Sequence, residues 1–108
     1  MYRIRINPLA QKDLIDIKEY IANELDNPSS AAKIILKVVE SYERLKEFPM
    51  LGASLSSEMD IVTDYRYLIV GKYIIFYKVG DIFVSIYRIF YAKRDYLNIL
   101  FSEDERER

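Results

Sequence analysis

Two spacings of apolar residues divide this chain. Between residues 8 and 48 they recur every three or four positions, and from residue 65 they crowd into three short runs. Before both, Tyr2 to Ile6 alternates polar and apolar, which predicts a short strand with Ile4 and Ile6 on one face. Asn7-Pro8 ends it, and because Asn caps helices well and Pro suits the first helical position, the same pair should start a helix. Ala10, Leu14, Ile17, Ile21 and Leu25 form its apolar stripe, with Lys12, Asp16, Glu19 and Asn23 outside it. Asp26-Asn27-Pro28 repeats the start signal, and Ala31, Ile35, Val38, Tyr42 and Leu45 carry a second stripe that ends at Phe48-Pro49. So short a link makes the two helices an antiparallel hairpin, whose joint apolar surface must cover a sheet.

Residues 64 to 95 supply the sheet. Their three runs of Ile, Val, Tyr and Phe are separated by Gly71-Lys72 and Gly80-Asp81, the pattern of an antiparallel meander with two-residue turns. With those turns Val79 faces Ile82, Tyr77 faces Val84, Ile75 faces Ile86 and Tyr73 faces Arg88. One sheet face then carries Arg66, Leu68, Val70, Tyr73, Ile75, Tyr77, Val79, Ile82, Val84, Ile86 and Arg88, aliphatic at its centre. The other carries Tyr65, Tyr67, Ile69, Ile74, Phe76, Lys78, Phe83, Ser85, Tyr87, Ile89 and Tyr91. The helix stripes fit the aliphatic face, where no polar atom needs a partner. The aromatic face is expected to stay open as a partner surface formed by Tyr65, Tyr67, Ile74, Phe76, Phe83, Tyr87 and Tyr91. Met50 to Thr63 reads as a long loop, and Lys93 to Phe101 as a short helix. The expectation is an α+β fold of order β-α-α-β-β-β(-α), one domain over residues 1–101, and a charged, disordered tail over 102–108.

Composition narrows the chemistry. The 108 residues include no cysteine and no histidine, so disulfides, a Cys nucleophile and Ser-His catalysis are excluded, and a zinc site would have to be all carboxylate. Neither metal nor cofactor is expected. Nothing in the chain approaches the ~18 consecutive apolar residues of a membrane span, nor does a signal peptide stand out, so a cytoplasmic protein is expected. The net charge is only -1, yet residues 64–94 hold six Lys/Arg against two Asp, a local +4. Such a field attracts phosphate or an acidic partner.

Arg66, Arg88, Lys93 and Arg94 form a cationic set, and Tyr65, Tyr67, Tyr87, Tyr91 and Tyr96 an aromatic-hydroxyl set. Together these residue types suit RNA, since arginine stabilises charge in phosphoryl transfer and rings stack unpaired bases. Packing is the commoner use of a strand tyrosine. The carboxylates Asp13, Asp16, Glu19, Glu24 and Glu40 read as outward helix charges available for surface pairs such as Glu40 with Arg44. No Gly-rich phosphate loop is present.

The order of these elements resembles the toxin component of the RelE/ParE superfamily of bacterial type II toxin-antitoxin modules. The resemblance runs through Ala10, Asp13-Leu14, Ile17 and Tyr20-Ile21, then Leu45, Phe48-Pro49 and Gly52, then Tyr65-Arg66 and Leu68, Tyr73, Ile75 and Tyr77, and finally Arg88-Ile89, Tyr91 and Arg94-Asp95. It implies a small α+β fold, a cognate antitoxin protein that wraps the toxin, and one of two targets. RelE-like members cut mRNA on the ribosome, and ParE-like members poison DNA gyrase. RelE-like ribonucleases carry an arginine just after the aromatic residue of the middle strand, where this chain has Ile74 after Tyr73. Lys93-Arg94 resembles their basic pair and Tyr96 stands where their terminal tyrosine would. The resemblance is thus closer to the ParE side: a non-catalytic inhibitor of gyrase, or alternatively a ribonuclease using Arg66, Arg88, Lys93, Arg94 and Tyr96, or a degenerate toxin kept as an interaction module.

Overall fold

Strand β1 (Arg3–Ile6) leads through Asn7 into helix α1 (Pro8–Glu19), which continues as one wider, π-type turn over Tyr20–Glu24. The computed structural model describes residues 1–59, 62–92 and 96–106. Asn7 occupies the cap position with extended backbone but makes no side-chain cap bond; the amide of Gln11 donates instead to the Ile6 carbonyl at 3.2 Å. The second start signal works as expected, with the Asn27 side chain accepting from the Ser30 N–H at 3.2 Å. Asp26 just before it takes φ +48°, a left-handed turn that Asp tolerates better than most residues. Helix α2 (Pro28–Glu43) then closes in a 3-10 turn, Arg44–Lys46.

The stretch expected to be a loop carries two short elements, strand β2 (Ala53–Ser54) and helix α3 (Leu55–Met59). The meander follows as β3 (Arg66–Val70), β4 (Tyr73–Val79) and β5 (Phe83–Tyr91), and helix α4 spans Tyr96–Arg106, later at both ends than residues 93–101. All five strands form one sheet in the order β1-β5-β4-β3-β2. Its pairs are antiparallel except β1 with β5, which run parallel. The fold is the expected α+β class with a longer, mixed sheet.

The β3–β4 register is as the sequence predicts, Val70 facing Tyr73 and Arg66 facing Tyr77 around Gly71, which takes φ +59°. The β4–β5 register is not. Val79 faces Val84 and Tyr77 faces Ile86, because the tight turn is Asp81-Ile82, closed by Gly80 N–H donating to the Phe83 carbonyl at 2.8 Å. That is a two-residue shift from the expected pairs, so the side chains of β5 up to Ile86 keep their faces. Further along, a bulge leaves Tyr87 unmatched: Phe76 faces Arg88, Ile75 faces Ile89 and Tyr73 faces Tyr91. One extra residue reverses the alternation beyond it, which carries Ile89 to the helix side of the sheet.

Two cores result. On one side Ala10, Val38, Tyr42 and Leu45 of the hairpin pack on Ile75, Tyr77, Val84, Ile86 and Ile89, the aliphatic face that the sequence assigns to the helices. The aromatic face is not left open. Tyr65, Ile74, Phe76 and Phe90 are buried there with Leu55 and Leu100, and Tyr67, Tyr96, Leu97 and Phe101 close around them. The physical reason is α4, whose apolar positions are spaced to lie over this face and remove its rings from water.

A latch joins the chain after α2 to the sheet. The Tyr77 hydroxyl donates to the Pro49 carbonyl at 2.9 Å and accepts from Gly52 N–H at 2.8 Å, while Arg66 donates to the Gly52 carbonyl at 2.6 Å and the Met50 carbonyl at 3.2 Å. Gly52 admits no side chain: a Cβ there would lie 2.4 Å from the Tyr67 carbonyl oxygen.

Candidate functional site

Strand β1 pairs with Phe83–Ile86, so among the described residues the remainder of β5 has no strand on that side. Asp13 of α1 takes the place of one. Its carboxylate accepts from the Ile89 N–H at 2.9 Å and from Arg88 Nε and Nη2 at 2.8 and 2.9 Å, with both side chains buried. A two-pronged guanidinium–carboxylate pair is among the stronger charge-assisted contacts, and here it also satisfies a strand-edge donor. Asp13 is therefore not the outward helix charge that its spacing suggests. Among the described residues the surface pairs within the helices are Lys12 with Asp16 and Lys46 with Glu43.

Beside this anchor, between the α1–α2 hairpin and the β3–β4 turn, lies a cleft of about 750 Å³. Ile17, Ile21, Ile34 and Val38 form apolar walls, and Tyr20, Tyr73 and Tyr91 stand around it. The rings of Tyr73 and Tyr91 lie 5.8 Å apart, and Tyr20 is 56 % exposed. Burial, with the neighbouring Tyr91 and Tyr20 hydroxyls, pushes the Tyr73 phenol above its usual value of 10.0, so Tyr73 serves as an uncharged, hydrogen-bonding ring near neutrality. Lys37, Lys72 and Asp16 also border the cleft. Apolar walls with a few polar tips suit the side chains of a protein segment.

The residues proposed from sequence do not gather in one place. Of the expected partner surface, Tyr65, Ile74 and Phe76 lie inside the second core, Tyr67, Phe83 and Tyr87 are half-buried, and Tyr91 alone reaches the cleft. Among the cations, Arg66 is engaged by the latch and Arg88 by Asp13. Tyr96 packs against Phe76 with ring centroids 5.5 Å apart. Lys93 and Arg94 lie outside the described residues. Sequence reasoning missed Tyr20, Tyr73 and Asp13 as a group; the signal available was that Asp13, Ile17 and Tyr20 recur at helical spacing alongside the stripe.

Fold and site together describe a small α+β domain with a tyrosine-lined cleft, and comparison makes the class specific. A family model for the ParE toxin of the type II toxin-antitoxin system parDE matches residues 4–96, and the chain belongs to that family. A chain of the chromosomal ParDE toxin-antitoxin system from P. aeruginosa superposes with a TM-score of 0.72 at 24 % identity, covering 86 % of this chain and 98 % of that one. A chain of the RelBE2 toxin-antitoxin complex from Mycobacterium tuberculosis gives 0.61 at 22 % identity, with 83 % and 96 % covered. No curated protein matches the sequence significantly. Among the described residues, no helix is long and apolar enough to cross a membrane.

Proposed function

We propose that this ParE-family toxin arrests growth by binding DNA gyrase without chemistry of its own, and that a cognate antitoxin neutralises it by seating a helix or extended segment in the tyrosine-lined cleft. The observation that carries the reading is the fate of the arginines. Arg66 and Arg88 are spent on holding the fold, so neither guanidinium is aimed at a substrate phosphate. The cleft supports the binding half of the proposal, since it offers apolar depth and the hydroxyls of Tyr20, Tyr73 and Tyr91.

Purified toxin should inhibit gyrase supercoiling or trap cleaved DNA, leave ribosome-bound mRNA intact, and lose its effect when the antitoxin is added. Tyr20→Glu, at an exposed position on the cleft, should weaken antitoxin binding while the unfolding midpoint holds. Ribosome-dependent mRNA cleavage that Arg94→Ala abolishes would replace the gyrase reading with the ribonuclease one.

A further inference from the structure

The face of the sheet opposite the cleft carries a second feature. Register places Arg5 of β1 beside Ser85 of β5, and Ser85 beside Lys78 of β4. Three side chains on adjacent strands thus form one row on one face, a guanidinium, a hydroxyl and an ammonium, with neighbouring strands about 4.8 Å apart. Arg3 lies two residues before Arg5 and is exposed like it. Helix α4 covers the other half of this face, over Phe76 and Phe90.

The cations of the row are held in place. Arg5 stacks on Phe83, 3.9 Å from the ring centroid, and Lys78 lies 4.3 Å over Tyr65 and 5.1 Å over Tyr87. Ring contacts of this kind fix a cation while leaving its N–H groups free to donate. Among the described residues neither Arg3 nor Arg5 has an ion pair, and the Ser85 hydroxyl makes no hydrogen bond. Lys78 already meets one carboxylate, that of the largely exposed Asp64 at 3.3 Å, so its ammonium accepts this type of ligand where it stands.

We propose that this row is a second docking site, on the face away from the cleft, for an extended acidic segment of a partner protein. Carboxylates at alternate positions of an extended chain are about 6.6 Å apart, the spacing of Arg3 and Arg5 along their own strand. Ser85 and Lys78 continue the row from Arg5 on the next two strands. A segment laid along β1, with one carboxylate on Arg3 and the next on Arg5, therefore presents the second to the hydroxyl and ammonium side of the row, where Lys78 can exchange Asp64 for it. Single-stranded nucleic acid fits less well. The faces of Phe83, Tyr65 and Tyr87 that would stack bases are occupied by cations, and the whole chain has a net charge of -1. The assignment rests on strand register and is independent of the gyrase reading.

The test is fluorescence anisotropy of a short labelled peptide of alternating glutamate and valine, with an alternating lysine-valine peptide and a short oligouridylate as the other probes. The glutamate peptide should bind best, and binding should weaken as salt rises. The double variant Arg5→Gln, Lys78→Gln should lower its affinity about tenfold or more, whereas Lys12→Gln on α1 should change it less than about twofold. Arg3→Glu, at an exposed position with no ring contact among the described residues, should weaken binding several-fold without moving the thermal midpoint, and decides the matter if the double variant melts early. Equal binding by all variants would overturn the proposal, and so would oligouridylate binding more tightly through the same residues.

Discussion

Replacing Asp13 with alanine should cost more stability than any surface change in the chain. The carboxylate makes three short bonds, to Arg88 Nε and Nη2 and to the Ile89 N–H. Removing one partner of a buried ion pair typically costs about 3–5 kcal/mol. The orphaned Ile89 amide adds about 1–3 kcal/mol. The two losses overlap because one carboxylate serves both, so about 4–6 kcal/mol is expected in all, out of the roughly 5–15 kcal/mol that holds a domain of this kind together. Urea unfolding, followed with the slope as well as the midpoint, measures it. Asp13→Asn keeps an acceptor for Ile89 and should lose distinctly less. The paired variant Asp13→Leu, Arg88→Met removes both charges and should recover most of the loss, leaving about 1–3 kcal/mol for the amide. A loss below about 1 kcal/mol for Asp13→Ala, the size of an exposed pair, would refute the reasoning. A paired variant no more stable than Asp13→Ala would refute it equally.

Other consequences are simpler to read. Gly52→Ala drives a methyl group onto the Tyr67 carbonyl oxygen and the Tyr77 hydroxyl, and should destabilise by about 1–3 kcal/mol or more in the same urea assay. Tyr77→Phe strips the Gly52 N–H and the Pro49 carbonyl of their shared partner; a loss of about 1–3 kcal/mol, with faster amide exchange at Gly52, is expected. In alkali, burial and then the charge of Glu43 raise the Tyr42 phenol above 10.0, and burial and its tyrosine neighbours raise Tyr73. The unfolded chain ionises these groups first, so stability should hold up to about pH 10 and fall beyond it, less steeply in a Tyr42→Phe, Tyr73→Phe variant.

Much of this architecture is legible in the sequence because its signals are local. Asn27-Pro28 starts α2, the stripe from Ala31 to Leu45 is the buried one, and Gly71 sets the β3–β4 register. The failures come from one-residue effects that no pattern records. Gly80-Asp81 looks like a turn, yet the bond from Gly80 to Phe83 centres the turn on Asp81-Ile82, and the bulge at Tyr87 interrupts no apolar run. The aromatic face was misread for a different reason. Its rings suit a partner in chemistry, but whether the partner is another protein or the chain's own α4 depends on where that helix returns. The cations misled as well, since Arg66 and Arg88 look available until the carbonyls and carboxylate that hold them are seen.

The buried ion pair beside the cleft follows from the length of β1. Four residues of parallel pairing leave the far half of β5 without a strand on the β1 side among the described residues, and α1, starting immediately at Pro8, passes this gap with a carboxylate in place of a strand. The cleft lies beside this carboxylate, between the hairpin and the β3–β4 turn, and the shifted alternation beyond Tyr87 turns Ile89 and Tyr91 toward it. Asp13 is thus both a support of the fold, through Arg88 and Ile89, and part of the lining of the candidate site. On this argument Asp13→Asn should deform the cleft before it unfolds the chain, so antitoxin affinity should fall at urea concentrations where the far-UV signal is still native. Affinity and secondary structure lost together would mean that the cleft does not depend on the pair.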